Sequence, residues 1–249
     1  MTRAKPRLRV RQTEERDFEA IGALSRLIYP NDQPWLPEQL ASHRRVFPEG
    51  QFVAEDLSTG EVVGMAASLI VLWDDYQSTD SYLEFTANYM FTNHHPGGRT
   101  LYAAEVMVDP RRRRQGIGRK IYAARRKLVR DLGLLRIRAG ARLRGYSAYA
   151  HQFSAEQYIL RVIRGDIVDP TLSFQIANGF RVIGVVENYL NRDPDSMGWA
   201  AIIEWINHRI ASKADYAHRD PRFRKPRKSP AGETSGSHRA GSRDGSCGY

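Results

Sequence analysis

The stretch from Glu105 to Tyr122, EVMVDPRRRRQGIGRKIY, sets the tightest limit on what this chain can fold into. Val106, Met107 and Val108 suit a buried strand, and Pro110, which has no N–H to donate, cannot continue a ladder. The spacing predicts a helix from Ile117, with Ile121, Ala124, Leu128 and Leu132 three or four residues apart and Gly133 as the stop. Arg119, Arg125, Arg126 and Arg130 interleave on the face this spacing leaves wet. The first turn of such a helix offers unpaired N–H groups and the positive end of the helix dipole, and Gly116 and Gly118 lack the Cβ atoms that would hold a ligand off. The stretch reads as a cradle for an anion such as phosphate.

The spacing then selects among phosphate binders. A nucleotide-hydrolase loop needs Gly, four residues and Gly-Lys-Ser/Thr, and no such string occurs. A dinucleotide fingerprint needs a third glycine where Ile121 stands and an acidic residue after the next strand, where arginines and Ala139-Gly140 stand. Arg/Gln-x-x-Gly-x-Gly/Ala does fit, filled by Arg113, Arg114, Gln115, Gly116, Ile117 and Gly118. With this order of strand, proline, arginine pair, Gln-Gly-Ile-Gly and helix, the chain resembles the GNAT superfamily of acyl-CoA-dependent N-acetyltransferases. A narrower likeness, carried by LRGYSAYA, SAEQY, DPTLSFQIANGF and IIEW over Arg7 to Trp205, is to the acetyltransferase-like half of bacterial proteins that continue into a nitrilase-type carbon–nitrogen hydrolase. The Glu-Lys-Cys site of that hydrolase has no counterpart when Cys247 is the single cysteine, so amide hydrolysis is not expected of this chain alone.

The resemblance implies an α/β fold of the α+β kind. It consists of a mixed, mostly antiparallel sheet of about seven strands, flanked by helices and splayed at an acyl-CoA cleft. It implies that Val106, Met107 and Val108 pair with pantetheine and orient the acyl carbonyl, and that Arg113 to Arg119 hold the CoA phosphates. It implies acetyl-CoA as cosubstrate, an amine of a small molecule or protein as acceptor, direct attack in a ternary complex, and no metal. An acyl-CoA-binding regulatory module with little turnover is the alternative. The family often has a tyrosine four residues before a Gly-Phe pair to protonate the leaving thiolate. Before Gly179-Phe180 that position is Gln175, which cannot donate a proton at neutral pH. Tyr102, Tyr146 and Tyr149 are the replacement candidates, and Glu105 or Tyr102 could deprotonate the amine. Glu187 and Glu204 are read as solvated strand residues.

With 249 residues the chain suits one catalytic domain, placed at 1–210, and a tail at 211–249. The tail is rich in Pro, Gly, Ser and basic residues and poor in aliphatics, so disorder is expected. From Lys213 onward nine basic and four acidic residues account for half of the net charge of +10. RFRKPRK at 222–228 could dock RNA or an acidic partner, but no nucleic-acid motif accompanies the charge, and a solubilising role is preferred. No secretory h-region, no membrane-length apolar run and no possible internal disulfide together argue for a cytoplasmic protein without a membrane partner.

Along the chain, strands are expected at Leu8–Gln12, Gln51–Glu55, Glu61–Leu72, Leu134–Ala141, Arg181–Val186 and Trp199–Trp205. Helices are expected at Glu15–Ile28, Pro37–Val46, from Ser154, where Gln157 completes a capping box, and after Asp169-Pro170. The aromatic-rich insertion Asp74–Thr100 is expected over the acceptor pocket, as a packed lid or as a subunit contact in a homodimer. Adjacent His94 and His95 without a nearby cysteine do not suggest a metal site.

Overall fold

Seven strands form one sheet in the computed structural model, which describes residues 7–30, 32–76 and 79–224. They are β1 (Leu8–Gln12), β2 (Phe52–Asp56), β3 (Val62–Val71), β4 (Thr100–Val108), β5 (Arg136–Arg142), β6 (Arg181–Val186) and β7 (Ala200–Ile206), in the order β1-β2-β3-β4-β5-β7-β6. Every neighbouring pair is antiparallel except β4 with β5. This is the mixed, mostly antiparallel sheet expected from the sequence.

Helices α1 (Phe18–Ile28) and α2 (Pro37–Val46) cover one face with the short α3 (Tyr82–Phe85), which lies within the aromatic insertion. Helices α4 (Ile117–Asp131), α5 (Ala155–Arg164) and α6 (Leu172–Ala177) cover the other. The insertion is a packed layer on the first face. Phe85 stacks on Tyr102 at 4.7 Å between ring centroids, and Phe91 stacks on buried His43 at 3.6 Å. His94 accepts from the Ile70 amide at 3.0 Å and stacks on Phe47, a packing role.

The phase of α4 differs from the sequence expectation. Its buried side chains are Ile117, Ile121, Tyr122, Arg125 and Val129, whereas Leu132 is exposed. Arg125, expected on the wet face, lies at the centre of the buried stripe at 1% exposure. Each fully buried aliphatic contributes roughly 2 kcal/mol, so several together offset a guanidinium desolvation cost of several kcal/mol.

Two further expectations are corrected. Glu204 is not solvated: it is 0% exposed and within ion-pair distance of Arg136, Arg138, His218 and Arg219. The fold also does not stop near residue 210. The segment up to Arg224 returns over the sheet, sets His218 and Arg219 on Glu204, and buries Phe223 against the α5 side. Cys247 and the basic run beyond Arg224 lie outside the described residues.

Candidate active site

The fork between β4 and β5 organises the site. Their parallel register runs from Thr100 opposite Arg136 to Tyr102 opposite Arg138, and beyond it both strands continue unpaired with each other. Between Tyr102 and Glu105, β4 carries one more residue than β3 does between Leu69 and Ala67, a bulge at the mouth of the fork. Downstream, Asp109 N–H donates to Val63 O on the β3 side at 3.0 Å. By the two-residue alternation of an antiparallel pair, Met107 also turns its backbone to β3, while Val106 and Val108 turn theirs to the fork. Of the three residues expected to pair with pantetheine, two have the orientation to do so.

The bulge places Glu105 on the face covered by α1, α2 and the insertion. Its Oε1 accepts from the Tyr29 hydroxyl at 3.2 Å and from the Val106 amide at 2.8 Å. Burial raises the Glu105 carboxyl above the ordinary range, and the Val106 N–H, Tyr29, Arg125 and Arg142 pull against that rise. A buried carboxylate with a raised affinity for protons suits a general base.

Three more tyrosines stand around it. Tyr102, 1% exposed, shares a short hydrogen bond with the Tyr189 hydroxyl, and Tyr189 lies so close to Gly140 of β5 that any Cβ there would run into its ring. Tyr189 thus spans the fork from β5 to β4. Tyr82, from α3, buries a hydroxyl that has no partner among the described residues. Burial pushes all three phenols up, so each is a proton-bearing donor rather than a base. Tyr102 therefore fits hydrogen-bond donation better than the deprotonation entertained for it.

The turn expected to cradle an anion lies where β4 ends. After Pro110, Arg114 and Gly116 both take left-handed conformations, with φ of 63° and 84°, and Gly116 caps α4. A side chain at Gly116 would meet open space, so its glycine is required by φ alone. A Cβ at Gly118 would instead stand 2.7 Å from the Phe174 ring. Arg111 is tied to Asp109 at 2.7 Å, and Arg112 to Asp56 and Glu61 at 3.2 and 2.9 Å. Arg113, Arg114 and Arg119 are exposed and, among the described residues, have no carboxylate partner. Ile117 anchors the turn in the core, and Gln115 is half-buried beside it. Two arginines fix the turn, and three face solvent where an anion would arrive.

Gln175 of α6 is also buried. Its Oε1 accepts a short hydrogen bond from the hydroxyl of Tyr122 on α4, and burial pushes that phenol up to about 12. Tyr146 is apart from the Glu105 group, packed on the opposite face with its hydroxyl donating to Phe153 O at 3.1 Å. Tyr29, Tyr82, Tyr122 and Tyr189 were missed by sequence reasoning. Only their chemistry as buried tyrosines could have suggested them, because each reaches the site from a different element.

Comparison with known proteins follows the same lines. The model of the acetyltransferase (GNAT) family matches residues 9–153. The "Probable hydrolase YhcX" of Bacillus subtilis (strain 168) is 40% identical over 207 residues, 83% of this chain but 40% of that protein, so this chain spans about two fifths of that relative's length. The "Uncharacterized N-acetyltransferase YkwB" of the same organism is 36% identical over 204 residues, 80% of this chain and 89% of that one. Among solved structures, the GphF GNAT-like decarboxylase in complex with isobutyryl-CoA superposes with a TM-score of 0.66 at 21% identity, over 80% of this chain and 98% of that one. The loading GNATL domain of CurA from Lyngbya majuscula gives 0.69 at 17% identity, over 80% and 97%. At these identities the two structures speak to the fold.

Proposed function

Because this chain belongs to the acetyltransferase (GNAT) family, we propose that it moves an acetyl group from acetyl-CoA to the amine of a small molecule or protein, by direct attack in a ternary complex. One observation carries the reading. The doubly left-handed turn before α4, with three arginines that have no carboxylate partner among the described residues, stands at the open end of a fork where β4 and β5 no longer pair with each other. The name of YkwB, an N-acetyltransferase, and the isobutyryl-CoA bound by GphF agree with a CoA thioester donor.

In this reading Arg113, Arg114 and Arg119 meet the CoA phosphates together with the amides of the turn through Gln115, Gly116, Ile117 and Gly118. Pantetheine runs along Val106 and Val108. The Val108 N–H, turned to the fork, donates to the developing oxyanion, and Tyr189 or Tyr102 offers a second donor from the far side. Glu105 removes the amine proton. Tyr122 is the phenol on the α4 side, and its hydroxyl would turn from Gln175 Oε1 to protonate the leaving thiolate. Nothing in this equipment favours a sensor without turnover. Among the described residues no helix is long and apolar enough to cross a membrane, and a cytoplasmic setting belongs to the same proposal.

Release of the free thiol from acetyl-CoA, measured against a panel of primary amines, tests it. At least one amine should accelerate release in wild type and not in Glu105→Gln. A panel spanning small polyamines, amino acids and N-terminal peptides that accelerates nothing would count against the reading.

A further inference from the structure

Arg125 is the side chain that the mechanism above leaves unused and that the fold has least reason to bury. It is 1% exposed and, among the described residues, has no carboxylate within ion-pair distance. A guanidinium in that position costs several kcal/mol of desolvation unless each of its donors is placed. Nη2 and Nε are placed on the bulge. Nη2 donates to Ala67 O of β3 at 2.8 Å and, in a short hydrogen bond, to Glu105 O of β4, while Nε donates to Ser68 Oγ at 3.1 Å. The guanidinium thus bridges the two strands where their register breaks between Ala67 and Leu69.

The carbonyl that Arg125 grips belongs to a particular peptide unit. Glu105 C=O and Val106 N–H lie in one plane and point in opposite directions, so fixing the oxygen fixes the N–H. That N–H faces the fork and donates to Glu105 Oε1 at 2.8 Å. A donor on the carbonyl oxygen also polarises the amide and strengthens its N–H as a donor. We propose that Arg125 is a positioning residue for acyl transfer: by clamping the Glu105–Val106 peptide it holds the Glu105 carboxylate and the fork-facing amide in register with the thioester. The proposal rests on the transferase reading for its purpose but not for its geometry.

The charged and titratable groups facing Glu105 are Tyr29 from the end of α1, Tyr82 from α3, Arg142 from β5, Tyr189 from the β6–β7 connection, and Tyr122 and Arg125 from α4. Arg125 and Arg142 are the cations among them, and Arg142 is already engaged by Asp193 at 2.5 Å and Asp195 at 3.2 Å. Loss of the Arg125 charge is therefore felt at Glu105 more than a change at a remote arginine.

The Val106 amide proton reports the ionisation of Glu105 directly, because the carboxylate is its acceptor. Its shift is followed against pH by nuclear magnetic resonance in the full-length protein, for wild type, Arg125→Lys, Arg125→Gln and Arg125→Met. The midpoint should rise by about one pH unit in the two neutral variants and stay near wild type in Arg125→Lys. In parallel, turnover in the thiol-release assay should fall by about ten-fold or more in all three, with acetyl-CoA affinity changed by less than about three-fold. If Arg125→Met does not fold, Arg125→Gln, which keeps an N–H donor, carries the comparison. A midpoint that does not move in the folded neutral variants overturns the proposal. A midpoint that moves in a protein without transferase activity leaves the clamp standing and removes the transferase reading instead.

Discussion

Tyr29, the residue at which α1 ends, donates its hydroxyl to Glu105 Oε1 across 3.2 Å and so joins the first helix to the bulged strand at the fork. The bond favours the ionised carboxylate, against the burial that raises it. Tyr29→Phe should therefore move the acidic limb of the pH dependence of kcat/KM upward by about half a unit to one unit, since base catalysis needs the carboxylate form. Glu105→Gln should abolish that limb and lower kcat by about a hundred-fold or more. A limb that stays in place in Glu105→Gln would assign it to another group.

The Tyr102–Tyr189 pair makes a separate prediction about the fork. Tyr189→Phe removes the partner of a buried hydroxyl, a loss of about 1–3 kcal/mol. For a domain of this size that lowers Tm by several degrees, at roughly 2–4 °C per kcal/mol. Thermal unfolding followed by circular dichroism checks it, and an unchanged Tm would mean that Tyr102 finds another partner.

His43 predicts how stability depends on pH. Its Nε2 donates to Tyr89 O at 2.6 Å, Nδ1 is buried without a partner among the described residues, and burial lowers its pKa to about 4. Above the unfolded value of about 6.5 the ring is neutral in both states and its contribution is intact. As pH falls below that value the unfolded chain takes up the proton first, so about 3 kcal/mol is lost progressively by pH 4. His94 and His218 are also lowered by burial and act in the same sense, so the variant comparison isolates His43. In urea unfolding at about pH 7.5 and about pH 5, His43→Leu should be less stable than wild type at the higher pH and lose less on acidification.

Glu204 should hold the segment after β7 to the sheet. Glu204→Gln removes the buried carboxylate that Arg136, Arg138 and Arg219 share, leaving among the described residues only the longer Arg136–Asp215 contact at 3.9 Å, a penalty of about 3–5 kcal/mol. Limited proteolysis should then cut between His208 and Arg224 faster than in wild type. Equal cutting rates would show that Phe223 and the Arg222–Glu156 pair anchor the segment without Glu204.

The strands, the larger helices and the glycine turn before α4 were legible in the sequence, because alternation, helical spacing and glycine placement are local signals. What was not legible came from contacts distant in sequence. The phase of α4 was misread because an arginine occupies a core position, and its reason, the bulge carbonyls of Ala67 and Glu105, lies in other strands. Glu204 looked like a solvated strand residue until the chain returned over it, and the boundary near residue 210 was misplaced because Phe223 is the one large apolar group in a basic segment. The tyrosines around Glu105 come from α1, α3, β4 and the β6–β7 connection, so no spacing relates them.

Calorimetric titration with acetyl-CoA, of wild type beside Gly116→Val, tests the central claim most directly. Valine at φ 84° is strained and disrupts the turn without touching the core, since Gly116 faces open space. Wild type should bind with affinity at least about ten-fold higher than the variant, at matching circular dichroism spectra, because the loss is confined to the anion cradle. Equal affinity in the two proteins, or no binding by wild type, would contradict the account.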